Sequence, residues 1–291
     1  MRLYAPAKIN WTLEVLGRSQ SDESYHEIRT VLQTIDLTDI IEVTPAQKLS
    51  LEVVGAHEIS ENDLLLVAAR MLQEESGYAE GAHICLTKRI PVGAGLGGGS
   101  SDAAALLRGL NAMWGLNWER RRLASLAAKV SSDASFFLWG GTALAEGRGE
   151  HITPLPDAPP RPLLLIVPPG SLPNKTARMY ASLGQSDLSD GYCTQLLLKA
   201  LHEGKTPNDD LLVNAFERAA YEMWPQLIEY RDILLSAGVR RVHLAGSGPA
   251  LFVLVSDQEQ QRLFLDNLGT LRSAAIPVYT IGAEAAVRIE P

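Results

Sequence analysis

The stretch from Pro91 to Ala105 reads P-V-G-A-G-L-G-G-G-S-S-D-A-A-A, and its reading decides the fold. Five glycines, Gly93, Gly95, Gly97, Gly98 and Gly99, fall within seven positions, directly ahead of an alanine-rich run. Glycine lets the backbone turn sharply and lets its N–H groups approach a ligand closely. A helix start adds unpaired N–H donors and a partial positive charge. Together these describe a phosphate cradle, with Ser100 or Ser101 expected to cap a helix running to about Trp114. A structural turn is the competing reading, and ordering five glycines for a turn alone is entropically costly.

Two common cradles fit poorly. A Walker A loop needs a lysine after its final glycine, and Ser100 stands there. Gly93, Gly95 and Gly98 match G-x-G-x-x-G, but the loop is entered through Arg89-Ile90-Pro91 rather than directly from an apolar strand. The acid about 20 residues on would be Glu119, which opens a helix instead of ending a strand. A dinucleotide-binding oxidoreductase therefore stays only as an alternative.

Composition narrows the class. The chain has 291 residues, which suggests two domains or one large one, and 46% are hydrophobic, enough for a sizeable core. The net charge of −8 argues against a nucleic-acid surface, though not against a small basic pocket. Cys85 and Cys193 form no C-x-x-C pair, so no disulfide framework or cysteine zinc site is implied. Neither cysteine is given a role, nor are His57, His83, His151, His202 and His243. No apolar run approaches the ~18 residues of a membrane span. Lys8 and Asn10 interrupt the N-terminal apolar stretch too early for a signal core. A reducing cytoplasm is the expectation.

Ile9, Trp11, Leu13 and Val15 alternate with Asn10, Thr12 and Glu14, which predicts a half-buried strand with Lys8, Asn10 and Thr12 facing away from the core. Further strands are expected at Asp39–Thr44, Leu49–Val53 and Ala82–Leu86, and a helix from Asp63 that stops at Gly77. Leu123, Leu126, Ala127 and Val130 have helical spacing. Five of the nine residues from Pro154 to Pro162 are proline, and this is taken as the linker. Beyond it a strand is expected at Leu163–Val167. Helices follow at Thr176–Leu183, Thr194–His202, Asp210–Glu222 and Pro225–Ser236, the last bracketed by Pro225 and Gly238. Val242–Leu244, Leu251–Val255, Val278–Ile281 and Ala286–Ile289 read as strands, with a helix from Asp257 to Gly269. Mixed strands and helices without strict alternation favour α+β.

At this point several motifs coincide. The glycine loop resembles the nucleotide-binding motif of the GHMP kinases, which include galactokinase, homoserine kinase, mevalonate kinase and phosphomevalonate kinase. The opening Ala5-Pro6-Ala7-Lys8-Ile9-Asn10, then Tyr25-His26-Glu27 and Gln33-Thr34-Ile35-Asp36, resemble one branch of that family. So do Ser132-Asp133 with Phe136-Phe137, Gly140-Gly141 and Gly147-Arg148-Gly149-Glu150. Ala245-Gly246-Ser247-Gly248-Pro249 is similar to the family's C-terminal glycine motif. The matches run from residue 5 to about 254 in the expected order. Two departures stand out. The usual D-G-Y-H reads Asp22-Glu23-Ser24-Tyr25-His26, and D-V-P-F-F reads Asp133-Ala134-Ser135-Phe136-Phe137.

The resemblance implies a two-domain α+β fold with its active site in the interdomain cleft. Residues 1–155 would form the nucleotide-binding domain and residues 163–291 the C-terminal one. It implies transfer of the γ-phosphoryl of ATP, with Mg²⁺, to the 2-hydroxyl of a cytidine diphosphate-linked methylerythritol in non-mevalonate isoprenoid synthesis, without a phosphoenzyme. Pro91, Val92, Ala94 and Leu96, the five glycines, and Ser100 and Ser101 would hold ATP. Asp133 would be the base, although an aspartate after two serines also suits a helix cap. Lys8 would keep Asp133 ionised and stabilise charge on the attacking oxygen, although most lysines simply sit in solvent. Asn10 would bond substrate or hold Lys8. Tyr25 and His26 would take the cytidine, joined by Thr176 and Tyr180, whose i, i+4 spacing equally describes one face of a helix. Gly246, Ser247 and Gly248 would lie near the transferred phosphate or form a plain turn. Asp102 is read as structural, and no residue is assigned to the metal. A GHMP kinase with another acceptor and a non-catalytic relative remain open.

Overall fold

Two long antiparallel strands, β1 (Arg2–Arg18) and β2 (His26–Ala46), form the spine of the protein. The computed structural model describes residues 1–19, 25–54, 63–170 and 172–291. The Asp22-Glu23-Ser24 departure and His57 lie outside the described residues. After β2 come β3 (Ser50–Val54), α1 (Leu64–Ser76), β4 (Gly81–Thr87), α2 (Gly98–Met113), α3 (Arg120–Val130), α4 (Ala134–Phe137), β5 (Thr142–Gly147) and β6 (His151–Pro154). Residues 155–161 carry no helix or strand. The chain continues through β7 (Pro162–Ile166), α5 (Lys175–Ala181), α6 (Tyr192–His202), β8 (Val213–Asn214), α7 (Glu217–Met223) and α8 (Gln226–Ser236). It ends with β9 (His243–Leu244), β10 (Leu251–Leu254), α9 (Gln258–Asn267), β11 (Ala275–Tyr279), α10 (Ala283–Ala286) and β12 (Ile289–Glu290).

The architecture is α+β. One sheet runs β12-β1-β2-β4-β3, with β5 on β2, β6 on β5 and β8 on β1. The other runs β11-β7-β10-β9. The first sheet thus takes strands from both ends of the chain. One apolar cluster likewise combines Ile9, Trp11 and Leu96 with Leu163, Leu197, Ala245 and Phe252. Among the described residues no helix is long and apolar enough to cross a membrane.

The alternation in β1 produces a strand buried on both faces rather than one. Lys8, Asn10, Thr12 and Glu14 are all buried. Thr12 and Glu14 are covered by α6, where Thr194 Oγ1 donates to Thr12 Oγ1 (2.8 Å) and Thr194 N to Glu14 Oε2 (2.7 Å). Buried polar groups need such partners, and α6 supplies them.

Other expectations change in local detail. The helix after the glycine loop is not capped by serine. Gly97, at φ 73°, is the cap residue, its carbonyl accepts the first helical bond from Ser101 N (2.9 Å), and both serines lie inside α2. Ser100 Oγ instead meets Ser131 Oγ (2.7 Å). The helix expected over Asp210–Glu222 is broken. Val213 and Asn214 pair with Thr12 and Leu13 of β1, and the helix starts only at Glu217. The strand expected over Ala286–Ile289 is the end of α10 followed by β12.

α2 lies in the core, with Ala103 to Leu107 fully buried. Its Gly109 packs on β1, and a Cβ there would lie 2.5 Å from Leu3 Cδ1. Gly109→Val is expected to destabilise the protein by about 1–3 kcal/mol through overpacking, read as a lower unfolding midpoint in urea. An unchanged midpoint would show that α2 does not pack against β1 at this point.

Candidate active site

The glycine loop is built by alternate left-handed residues, Gly93 (φ 74°), Gly95 (φ 90°) and Gly97 (φ 73°). Space as well as conformation requires glycine at two of them. A Cβ on Gly95 would lie 2.3 Å from Ala245 O, and one on Gly97 2.8 Å from the Phe137 ring and 3.1 Å from Lys8 Cγ. The loop is tied on both sides. Lys8 N donates to Leu96 O (2.9 Å) from β1, and Ala250 N donates to Ala94 O (3.1 Å) from the C-terminal half. α2 then starts at Gly98, with its free N–H groups at the loop's end.

Beside this loop Lys8 Nζ stands 3.6 Å from Asp133 Oδ2. Nζ also donates to Asn10 Oδ1 (2.8 Å), and Asn10 Nδ2 donates to Thr30 Oγ1 (2.8 Å), which fixes the ammonium in place. The Lys8 side chain is 5% exposed and that of Asp133 39%. Asp133 does not cap α4: it has helical backbone angles and makes no side-chain cap bond. Its carboxylate is therefore open to the cavity. A buried cation beside an accessible carboxylate can neutralise negative charge arriving between them.

A cavity of about 590 Å³ joins these groups. Of the residues singled out in the sequence, it is lined by Lys8, Asn10, Pro91 through Ser100, Asp133, Thr176, Tyr180, Gly246 and Ser247. Ser101 is buried inside α2, and its hydroxyl has no partner. Gly248 lies behind the cavity wall, where a Cβ would press on Leu244. Tyr25 and His26 sit outside the lining but touch it. The His26 ring stacks on Tyr180 (centroids 5.1 Å apart, planes at 17°), and the Arg148 guanidinium lies over the Tyr25 ring at 4.7 Å. Burial, with Arg18 adding to it, lowers the His26 pKa, so the ring is neutral at neutral pH and offers one donor and one acceptor. Burial and then Asp133 push the Tyr180 hydroxyl up to about 12, which keeps it protonated.

Four further groups were not singled out by sequence. Lys88 Nζ donates to Asp39 Oδ2 (2.5 Å) and Asp102 Oδ2 (2.6 Å), all three nearly or fully buried. Asp39 Oδ1 accepts from Ile90 N (2.7 Å) at the loop's entrance. Burial raises the Asp102 pKa against the pull of Lys88. Asp102 is thus part of the loop's foundation, and Lys88, just ahead of Arg89-Ile90-Pro91, marks it in the sequence. Asn214 Nδ2 donates to Leu244 O (2.9 Å) and Gly246 O (2.8 Å) and so holds the C-terminal glycine turn. Lys175 lines the cavity one residue before Thr176.

Comparison with known proteins places relatives along most of the chain. The family model for the GHMP kinases N terminal domain matches residues 63–141, and that for GHMP kinases C terminal matches residues 197–271. A 4-diphosphocytidyl-2-C-methyl-D-erythritol kinase of Dehalococcoides mccartyi is 38% identical over 283 residues, covering 97% of this chain and 99% of the relative. One of the same name from Gloeobacter violaceus is 40% identical over 266 residues, 89% of this chain and 86% of the relative. The crystal structure of a 4-(cytidine 5'-diphospho)-2C-methyl-D-erythritol kinase matches with TM-score 0.80 and 33% identity, covering 97% of this chain and all of that one (100%). A homoserine kinase from Cytophaga hutchinsonii shares the fold at TM-score 0.74 and 18% identity, covering 97% and 94% of the two chains.

Gly97→Val is expected to abolish binding of a non-hydrolysable ATP analogue, measured by calorimetry. The branched side chain would meet Phe137 and Lys8 and would also strain a left-handed residue. Unchanged affinity would show that the nucleotide binds elsewhere.

Proposed function

The chain belongs to the GHMP kinase family, and on that premise we propose that it moves the γ-phosphoryl group of ATP onto the 2-hydroxyl of 4-diphosphocytidyl-2-C-methyl-D-erythritol, a step of non-mevalonate isoprenoid synthesis. The observation that carries the chemistry is the Lys8–Asp133 pair, 3.6 Å apart beside the glycine loop.

In this reading the loop's N–H groups and the start of α2 hold the triphosphate of ATP. The acceptor hydroxyl lies at Asp133, which takes its proton as the oxygen attacks the γ-phosphorus. Lys8, 3.6 Å from Asp133, offsets negative charge on the oxygens in flight. Asn10 holds Lys8 through its side-chain carbonyl. The phosphoryl group passes directly from donor to acceptor, with no covalent enzyme intermediate. Tyr25, His26 and Tyr180 receive the cytidine end: aromatic faces stack on the base, and the neutral imidazole bonds its edge. Thr176, on the same helix as Tyr180, adds a hydroxyl to that side of the cavity.

Mg²⁺ would enter with ATP and neutralise part of its charge. It prefers oxygen ligands and is held largely by substrate phosphates. Ser100 lines the cavity, and its hydroxyl, which also meets Ser131 Oγ, would be an oxygen donor to the ion. Two free cysteines agree with a reducing cytoplasm as the place of action.

A coupled assay of ADP release, with the cytidylyl acceptor present and absent, tests the reaction. ADP release that depends on this acceptor and not on cytidine-free alcohols supports it, and ADP release only with another acceptor defeats it. Asp133→Asn is expected to lower kcat by about 10²–10⁴ with little change in nucleotide affinity. Near-normal turnover in that variant would remove Asp133 from the role of base.

A further inference from the structure

Lys175 occupies a place that the reaction as described does not use. It is the first residue of α5, and its Nζ donates to Gly93 O of the glycine loop (2.8 Å) and to Gly248 O of the C-terminal glycine turn. The residue before it, Asn174, is left-handed at φ 51°, an unusual conformation for a side-chain-bearing residue. With Lys175 included, three carbonyls of the loop are engaged from three directions. Gly93 O is held by α5, Ala94 O by Ala250 N and Leu96 O by Lys8 N.

Resting on the kinase reading above, we propose that Lys175 is a positioning residue for the phosphate cradle. Its ammonium pins the glycine loop to the C-terminal glycine turn, so that the loop is already ordered when ATP arrives. A loop with five glycines loses much conformational freedom on binding, and a pin made beforehand removes part of that cost. Lys8 from β1 and Asp133 ahead of α4 are the charged groups that act on it. Burial and then Lys8 push its pKa down to about 8, so the ammonium loses its proton within the range of an ordinary assay. The pin is strongest with the charged form, and kcat/KM for ATP should fall as pH rises through about 8.

The test compares wild type, Lys175→Met and Lys175→Arg in the affinity for a non-hydrolysable ATP analogue against pH, and in kcat/KM for ATP over the same range. Lys175→Met should weaken analogue binding by about 10–100-fold while the acceptor KM stays within about threefold. Lys175→Arg, which stays charged, should restore most of the affinity and move the alkaline fall to higher pH. Analogue affinity in folded Lys175→Met within about twofold of wild type overturns the proposal. If Lys175→Met does not fold, the arginine variant and the wild-type profile decide it. An alkaline fall at the same pH in both proteins, or no fall between about pH 7 and 9, is then the overturning result. Analogue binding does not depend on the acceptor, so absence of turnover with the cytidylyl substrate would defeat the functional reading and leave this test standing.

Discussion

Direct backbone contact between two glycine turns, distant in sequence, is the constraint on which the rest depends. A Cβ on Gly95 would lie 2.3 Å from Ala245 O, and a Cβ on Gly246 would lie 2.5 Å from Gly95 O. Each backbone occupies the space that a side chain on the other would need. The approach also encloses Lys8, since the same Cβ on Gly246 would lie 3.0 Å from Lys8 Nζ. One contact thus closes the cradle, joins the two halves of the chain and sets the depth of the active-site ammonium. Asn214 secures it from beneath through Gly246 O, which explains why a short strand interrupts a region of helical spacing.

Charge is distributed unevenly around this contact. The chain as a whole carries −8, yet Lys8, Lys88 and Lys175 gather at one cavity. Lys88 is neutralised by Asp39 and Asp102 and serves the loop's foundation. A buried ion pair of this kind is weak evidence for added stability, because desolvation offsets much of the attraction. Its contribution is geometric: Asp39 takes up backbone N–H groups at the entrance of the loop, and Asp102 rides on the first turn of α2. One ammonium therefore fixes the approach to the loop relative to the helix that leaves it.

The parts of this arrangement legible in the sequence were those written as local pattern. The period of two in β1, the glycine run and the apolar stretch of α2 each depend on neighbouring residues, and each yields its element. The serines after Gly99 misled because cap preference assumes that the helix starts where a side chain can reach back. Here a left-handed Gly97 starts it earlier. The partners of Lys88 and the carbonyls held by Lys175 were not legible, because they come from residues 14 to 82 positions away along the chain. Lys175, in the run Asn174-Lys175-Thr176-Ala177-Arg178-Met179-Tyr180, has no local mark to separate it from a solvated lysine. Tyr25 and His26 came only from family resemblance, and their contacts with Arg148 and Tyr180 link them to the cavity from its rim.

Those rim contacts bear on how two anionic ligands can share one space. ATP and a diphosphocytidyl acceptor both bring phosphates, and like charges held close in a partly dry cavity repel strongly. The glycine loop Gly93–Ser100, the Tyr180 ring with His26 stacked on it, and the Lys8–Asp133 pair all meet at this one cavity. Lys8 is well placed to offset negative charge in the cavity, because its ammonium is buried, held by Asn10 and 3.6 Å from the Asp133 carboxylate. An exposed lysine would be screened by water and free to turn away. In the proposed mechanism this one buried cation is what lets two anionic substrates meet directly, and the glycine turns help to bury it: a Cβ on Gly97 would lie 3.1 Å from Lys8 Cγ and one on Gly246 3.0 Å from Lys8 Nζ.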